Sequence, residues 1–144
     1  MSTPIIDRTV QDRAEIDLVV ARFVEWMETG ASPAGLLAED CFGDVSMPQW
    51  RFQVEGGVAL AASRHESHPY PGRVRVEKVD RTENGFAIAF EERWVNEGQD
   101  WYCREQMTAE VRDGQICDIR FYCTGDWDEA VQAEHSRTVT LVRP

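Results

Sequence analysis

Between Phe86 and Val111 the chain repeats with a period of two, which restricts it to strands with one face turned inward. Phe86, Ile88 and Phe90 share a parity that continues as Glu92 and Trp94. The next stretch carries Trp101, Cys103, Glu105, Met107, Ala109 and Val111 on a single parity. Two carboxylates, Glu92 and Glu105, therefore fall on an otherwise apolar face. A charge on a core face is costly unless it is paired or used. The conflict points to a pocket with chemistry in it.

Turn residues divide the second half into strands over 73–81, 86–96, 101–112 and 115–124, with Asn84-Gly85 and Asp113-Gly114 at two of the turns and 97–100 at the third. Ahead of them Val10, Ile16, Val19, Val20, Phe23 and Met27 recur at helical spacing, opened by Thr9 with Asp12 and closed by Gly30. Ser32-Pro33 predicts a short second helix, 45–47 and 50–54 a small hairpin, and 58–64 an Ala-rich third helix. Residues 68–72 read as a rigid loop. Asp126 with Glu129 resembles a capping box opening a last helix over 127–137, and the β-branched tail 138–142 suits an edge strand or a cover over an opening. Helices followed by antiparallel strands mean α+β: one domain over 1–144, a curved sheet closed by a long helix into a cone.

The net charge of −11 and pI near 4.6 argue against nucleic acid and anionic membrane surfaces as partners. Residues 1–15 show neither a basic region nor an apolar run, so no signal peptide is expected, and no stretch reaches membrane-spanning length. Cys41, Cys103, Cys117 and Cys123 have no zinc-type spacing, and free thiols in a cytoplasmic setting are expected even where Cys103 and Cys123 lie on neighbouring strands. No metal site is expected from His65, Glu66 and His68, whose spacing is not that of a zinc helix.

A turn over 97–100 pairs Trp94 with Cys103, Glu92 with Glu105 and Phe90 with Met107. Two carboxylates directly opposite each other cannot both ionise cheaply in a poorly hydrated cone. One keeps its proton, or an Arg neutralises the pair. The competing arrangement sets both at the rim, solvated or bridged to Arg93 or Arg104. The last strand has two parities. A two-residue Asp113-Gly114 turn faces Asp118, Arg120, Tyr122 and Thr124 inward, whereas a one-residue bulge faces Ile119, Phe121 and Cys123 inward. Arg120 and Tyr122 are taken toward the cavity, where Arg would compensate the carboxylates and Tyr could donate to a substrate oxygen.

The order of elements is similar to that of the nuclear-transport-factor-2-like superfamily, in its SnoaL-like and ketosteroid-isomerase-like branches, over nearly the whole chain. The resemblance is carried by Ala38-Glu39-Asp40-Cys41-Phe42 leading into a strand, by Gly56-Gly57, and by Asp113-Gly114-Gln115-Ile116 turning into Ile119-Arg120-Phe121-Tyr122. It implies the cone fold, a homodimer, and either acid–base catalysis or non-catalytic ligand or protein binding. The Asp-Pro of ketosteroid isomerases is replaced by Met47-Pro48, so that general base is missing. An Arg–Asp relay resembling that of limonene-epoxide hydrolases would fall on Asp118 and Arg120, without a second Asp to complete it.

The expectation is cofactor-free acid–base chemistry (cyclase, isomerase or dehydratase type) on a small hydrophobic carbonyl compound. Glu105 and Glu92 are the acid–base pair, Arg120 and Tyr122 the enolate stabilisers, and His65 a secondary proton carrier. Trp26, Trp50, Tyr70, Trp94, Cys103 and Met107 are the candidate lining. A non-catalytic ligand-binding protein or a dimeric interaction module of the same fold is the alternative.

Overall fold

A computed structural model describes residues 5–144, with side chains from residue 12 onward. Its elements are α1 (Ile5–Thr29), β1 (Leu37–Met47), β2 (Trp50–Glu55), α2 (Gly57–Ser67), β3 (Gly72–Arg81), β4 (Gly85–Asn96), β5 (Gln99–Arg112), β6 (Gln115–Cys123) and α3 (Glu129–Thr138). The six strands form one unclosed sheet in the order β2-β1-β6-β5-β4-β3. Only the β1–β6 pair is parallel. The architecture is α+β.

The apolar stripe of α1 buries Val19, Phe23, Trp26 and Met27 against the sheet. Phe23 is the hub, its ring 5.5 Å from Phe90, 5.9 Å from Phe121 and 6.1 Å from Trp26. The helix starts before Thr9, so Thr9 is not its N-cap, and the side chains of Thr9 and Val10 lie outside the described residues. Gly30 ends it, donating its N–H to the Trp26 carbonyl at 2.9 Å.

The helix expected at Ser32-Pro33 does not form. A single turn closes from Leu36 N–H to the Pro33 carbonyl, and Gly35, at φ 81°, turns the chain out of it. The chain then enters an eleven-residue strand whose inward positions change parity between Ala38 and Cys41. That irregularity, also seen in its register with β6, masks the strand in the sequence. Farther along β1, Gly43 lets α2 approach: a Cβ there would stand 2.8 Å from Leu60 Cδ1.

Two turns set the register of the long hairpins. Glu97 and Gly98, at φ 53° and 73°, make a two-residue turn. Trp94 therefore faces Trp101, Glu92 faces Cys103 and Phe90 faces Glu105. This corrects the expected pairing by two residues, a shift that keeps every side chain on its face. The Asp113-Gly114 turn is also two residues long, with Arg112 opposite Gln115. Two residues later a bulge gives Cys117 no partner on β5, and from there Ile119, Phe121 and Cys123 turn inward. The other parity, with Arg120 and Tyr122 inward, is overturned.

At the C-terminal end, Trp127 exchanges both backbone hydrogen bonds with Tyr102 of β5, which delays the last helix. Asp128, not Asp126, is its N-cap, accepting from Val131 N–H at 2.9 Å. The tail after Thr138 adds no strand, and Val142 is exposed.

Candidate functional site

Helix α2 lies across the inward face of β1 and presents Leu60, Arg64 and His68 at intervals of four residues, one side of a helical turn and its C-cap. Opposite them the inward positions of β4, β5 and β6 deliver Glu92, Cys103, Glu105, Phe121 and Cys123, and α1 supplies Trp26. Between these elements is a cavity of about 100 Å³. An apolar cavity of about 150 Å³ takes a benzene, so this one suits a ligand of a few heavy atoms.

Glu92 and Glu105 are 3 % and 7 % exposed, and they are diagonal neighbours rather than direct partners. Arg64 clamps Glu92 with Nη2–Oε1 at 2.7 Å and Nη1–Oε2 at 3.4 Å, and its Nη2 also donates to the Met27 carbonyl at 3.2 Å. Cys103 Sγ lies 3.8 Å from Glu92 Oε2. The two buried carboxyls feel each other's charge, which divides their titration. Burial, followed by the Glu92 charge, pushes Glu105 well above the ordinary carboxyl value, which favours its protonated form. Burial pulls Glu92 upward too, but the proton offered by Glu105 and the Arg64 guanidinium outweigh it and hold Glu92 low. Its buried centre is the Arg64 guanidinium, the paired Glu92 carboxylate and a Glu105 carboxyl biased toward its neutral form.

His68 is half-buried, edge-on to Trp94 at 4.3 Å and to Tyr70 at 5.6 Å. Burial, followed by Arg64, lowers its pKa against the opposing pull of Glu92, which keeps the imidazole neutral near pH 7. Asp126 also lines the cavity, raised by burial and by Glu92. Cys123 accepts from Gly125 N–H at 3.3 Å. Cys103, Glu105 and Cys123 bring their sulfur and oxygen atoms within 4.8 Å of one another. Beside this cluster the Arg64 guanidinium already supplies the positive charge. All four cysteines are free.

Of the residues expected at the site, Glu92, Glu105, Trp26 and Cys103 line the cavity. The others do not. Arg120 and Tyr122 point to the outer face because of the Cys117 bulge. Arg120 Nε reaches Asp118 Oδ1 at 3.1 Å, its Nη1 lies 4.0 Å from Asp44 Oδ2, and its guanidinium sits over the Phe42 ring. Asp44 thus supplies a second Asp beside Asp118 and Arg120, but outside the cone. His65 is exposed, one position round the helix from Arg64. Trp50 sits at the β1–β2 turn, 71 % exposed, where the hairpin tip leaves the body of the sheet. Met107 is core beneath the cavity, opposite Ile88. Tyr70 and Trp94 hold His68 rather than lining the cavity. Sequence reasoning missed Arg64 and preferred the wrong histidine. The four-residue interval from Leu60 to Arg64 to His68 places them on one side of α2, but the Ala-rich sequence does not show which side is buried.

No family model and no curated protein matches the chain by sequence. Solved structures do match by shape. An NTF-2 like protein from Burkholderia xenovorans LB400 superposes with a TM-score of 0.57 at 16% identity, over 90% of this chain and 97% of that one. This chain has the nuclear-transport-factor-2-like fold. A putative SnoaL-like polyketide cyclase from Jannaschia sp. CCS1 gives 0.61 at 14% identity, over 89% of this chain and 94% of that one. A hypothetical protein with a ketosteroid-isomerase-like fold from Catenulispora acidiphila DSM 44928, in complex with trimethylamine, gives 0.60 at 12% identity, over 74% of this chain and 85% of that one. Within this fold the cavity lies between the long helix, α2 and the inward sheet face. Among the described residues no helix is long and apolar enough to cross a membrane.

Proposed function

We propose that the cavity is an acid–base site that moves protons on a small carbonyl compound, the step common to isomerases, cyclases and dehydratases. The observation that carries this reading is the burial of two carboxyls, Glu92 and Glu105, beside a single guanidinium that pairs with Glu92 alone, in a cavity also walled by Trp26, Leu60 and Phe121. A carboxylic acid kept neutral near pH 7 can meet a carbonyl oxygen and give up its proton as charge builds there. Glu105 takes that role. Glu92, kept ionised by Arg64, raises Glu105 and balances the guanidinium. His68, neutral and half in solvent, takes the proton from the carbon next to the carbonyl. The C–H electron pair becomes the enol double bond while the oxygen takes the Glu105 proton. His68 then returns its proton to another carbon, or to a β-hydroxyl that leaves as water with its C–O electron pair, while the enol oxygen gives its proton back to Glu105 and the carbonyl re-forms. Neighbours in shape include proteins described as a putative isomerase and a putative SnoaL-like polyketide cyclase, which supports the reading.

The test is exchange of α-protons. A panel of small ketones is incubated with the protein in deuterium oxide and followed by proton NMR. The native protein accelerates exchange for at least one ketone, and Glu105→Gln, folded by circular dichroism, loses at least about 100-fold of that rate. Equal exchange with both proteins contradicts the role of Glu105. The bidentate Arg64–Glu92 clamp also suits a second reading, a binder that holds its ligand without turning it over. In that case ligands bind and no ketone exchanges.

A further inference from the structure

Three buried polar atoms have no hydrogen-bond partner among the described residues: Trp26 Nε1, Arg64 Nε and Glu105 Oε2. All three belong to side chains that line the same cavity. Buried polar groups are nearly always satisfied, and a cluster of orphans around one cavity marks where the polar atoms of water or of a ligand that displaces it go. Their chemistry differs. Indole Nε1 and guanidinium Nε only donate. When the Glu105 proton lies on its other oxygen, Oε2 only accepts. The cluster therefore asks for an acceptor and a donor close together on one molecule.

Size and charge narrow the choice. About 100 Å³ leaves room for roughly five non-hydrogen atoms. Arg64 and Glu92 cancel, so an ionic ligand would bring an uncompensated charge into a buried site. We infer that the site takes a short, uncharged α-hydroxy carbonyl compound, its carbonyl oxygen facing Trp26, Arg64 and the acid proton of Glu105, and its hydroxyl donating to Glu105 Oε2. This rests on the acid–base reading of the same cavity and names its substrate class.

Equilibrium binding, measured by ligand-observed NMR without turnover, tests it. The probes are hydroxyacetone, acetone (acceptor only), 1-propanol (one hydroxyl, no carbonyl) and lactate (charged). The native protein should bind hydroxyacetone at least about 10-fold more tightly than each of the others, the loss expected when a buried hydrogen-bonding group is left unpaired. Trp26→Phe, which keeps the ring and removes the donor, should weaken hydroxyacetone about 10-fold. Acetone or lactate binding as tightly as hydroxyacetone overturns the inference, and that comparison uses the native protein alone. So does a folded Trp26→Phe variant with unchanged hydroxyacetone affinity. Loss of the binding preference while acetone still exchanges its protons sinks this inference and spares the acid–base reading. Intact preference with no exchange of any ketone does the reverse.

Discussion

The two faces of the sheet each bury two carboxylates, and they solve the same problem differently. On the outer face Asp44 and Glu91 are 5 % and 7 % exposed; on the inner face Glu92 and Glu105 are 3 % and 7 % exposed. Outside, cations are plentiful. Asp44 accepts from Arg51 Nε at 2.9 Å, from Arg51 Nη2 at 2.5 Å and from Gln53 at 3.2 Å. The Arg51 hydrogen bond holds Asp44 down at about 2, against the pull of burial. Glu91 has Arg75 as its close partner, with Arg93 at 4.0 Å. Inside, the one guanidinium of Arg64 pairs with Glu92, and Glu105, left without a cation of its own, is raised toward its protonated form. Burial alone does not raise a carboxyl above its ordinary value. Burial with too few cations does.

The sharpest way to break the comparison is to remove the inner cation. Arg64→Met leaves Glu92 buried without a partner and should cost about 3–5 kcal/mol in urea unfolding, with much of it recovered in Arg64→Met/Glu92→Met. A loss under about 1 kcal/mol would mean that the clamp holds nothing. Next comes the packing that brings Arg64 to Glu92. Gly43→Ala forces Leu60 and α2 away from β1 and should cost about 1–3 kcal/mol by the same measurement, while slowing ketone exchange. A neutral result would show that α2 can shift freely.

The two faces should also differ in the sign of their pH dependence. Glu105 is raised in the fold, so its contribution is complete below its ordinary 4.5 and is lost as pH rises toward its folded value. For one proton that slope is at most about 1.4 kcal/mol per pH unit, and Glu105→Gln should flatten it. Asp44 is lowered, so its contribution is present above 3.8 and is lost as pH falls toward about 2. Asp44→Asn should therefore remove stability at neutral pH and reduce acid sensitivity, the opposite pattern. Urea titrations of both variants across pH check this, and slopes of the same sign would refute the contrast. The smallest expected effect separates the histidines. His65→Gln should change stability by under about 0.5 kcal/mol and leave exchange intact, whereas His68→Gln should slow exchange.

Most of the inner face is legible in the sequence, because a strand's period survives an error in turn length. Treating 97–100 as the turn misplaces Glu92 against Glu105 by two residues, yet both still face inward. A one-residue irregularity is far more damaging. The bulge at Cys117 reverses every later side chain of β6, and turn chemistry at Asp113-Gly114 carries no sign of it. The same kind of break between Ala38 and Cys41 makes β1 read as something other than a strand. Arg64 is hidden for another reason. The first half of α2 is Val58-Ala59-Leu60-Ala61-Ala62, nearly uniform in hydrophobicity, and Val58 is exposed while Leu60 is buried. Such a helix has no readable phase, so neither Arg64 nor His68 can be assigned inward from pattern alone.

Carbon-13 NMR of the Glu side-chain carboxyls, recorded across pH, tests the proton on Glu105 most directly. At about pH 6 one buried carboxyl should still resonate as the protonated acid, and that signal should vanish in Glu105→Gln. If every Glu carboxyl has finished titrating near the ordinary 4.5, the inner pair holds no proton and the account of the cavity fails.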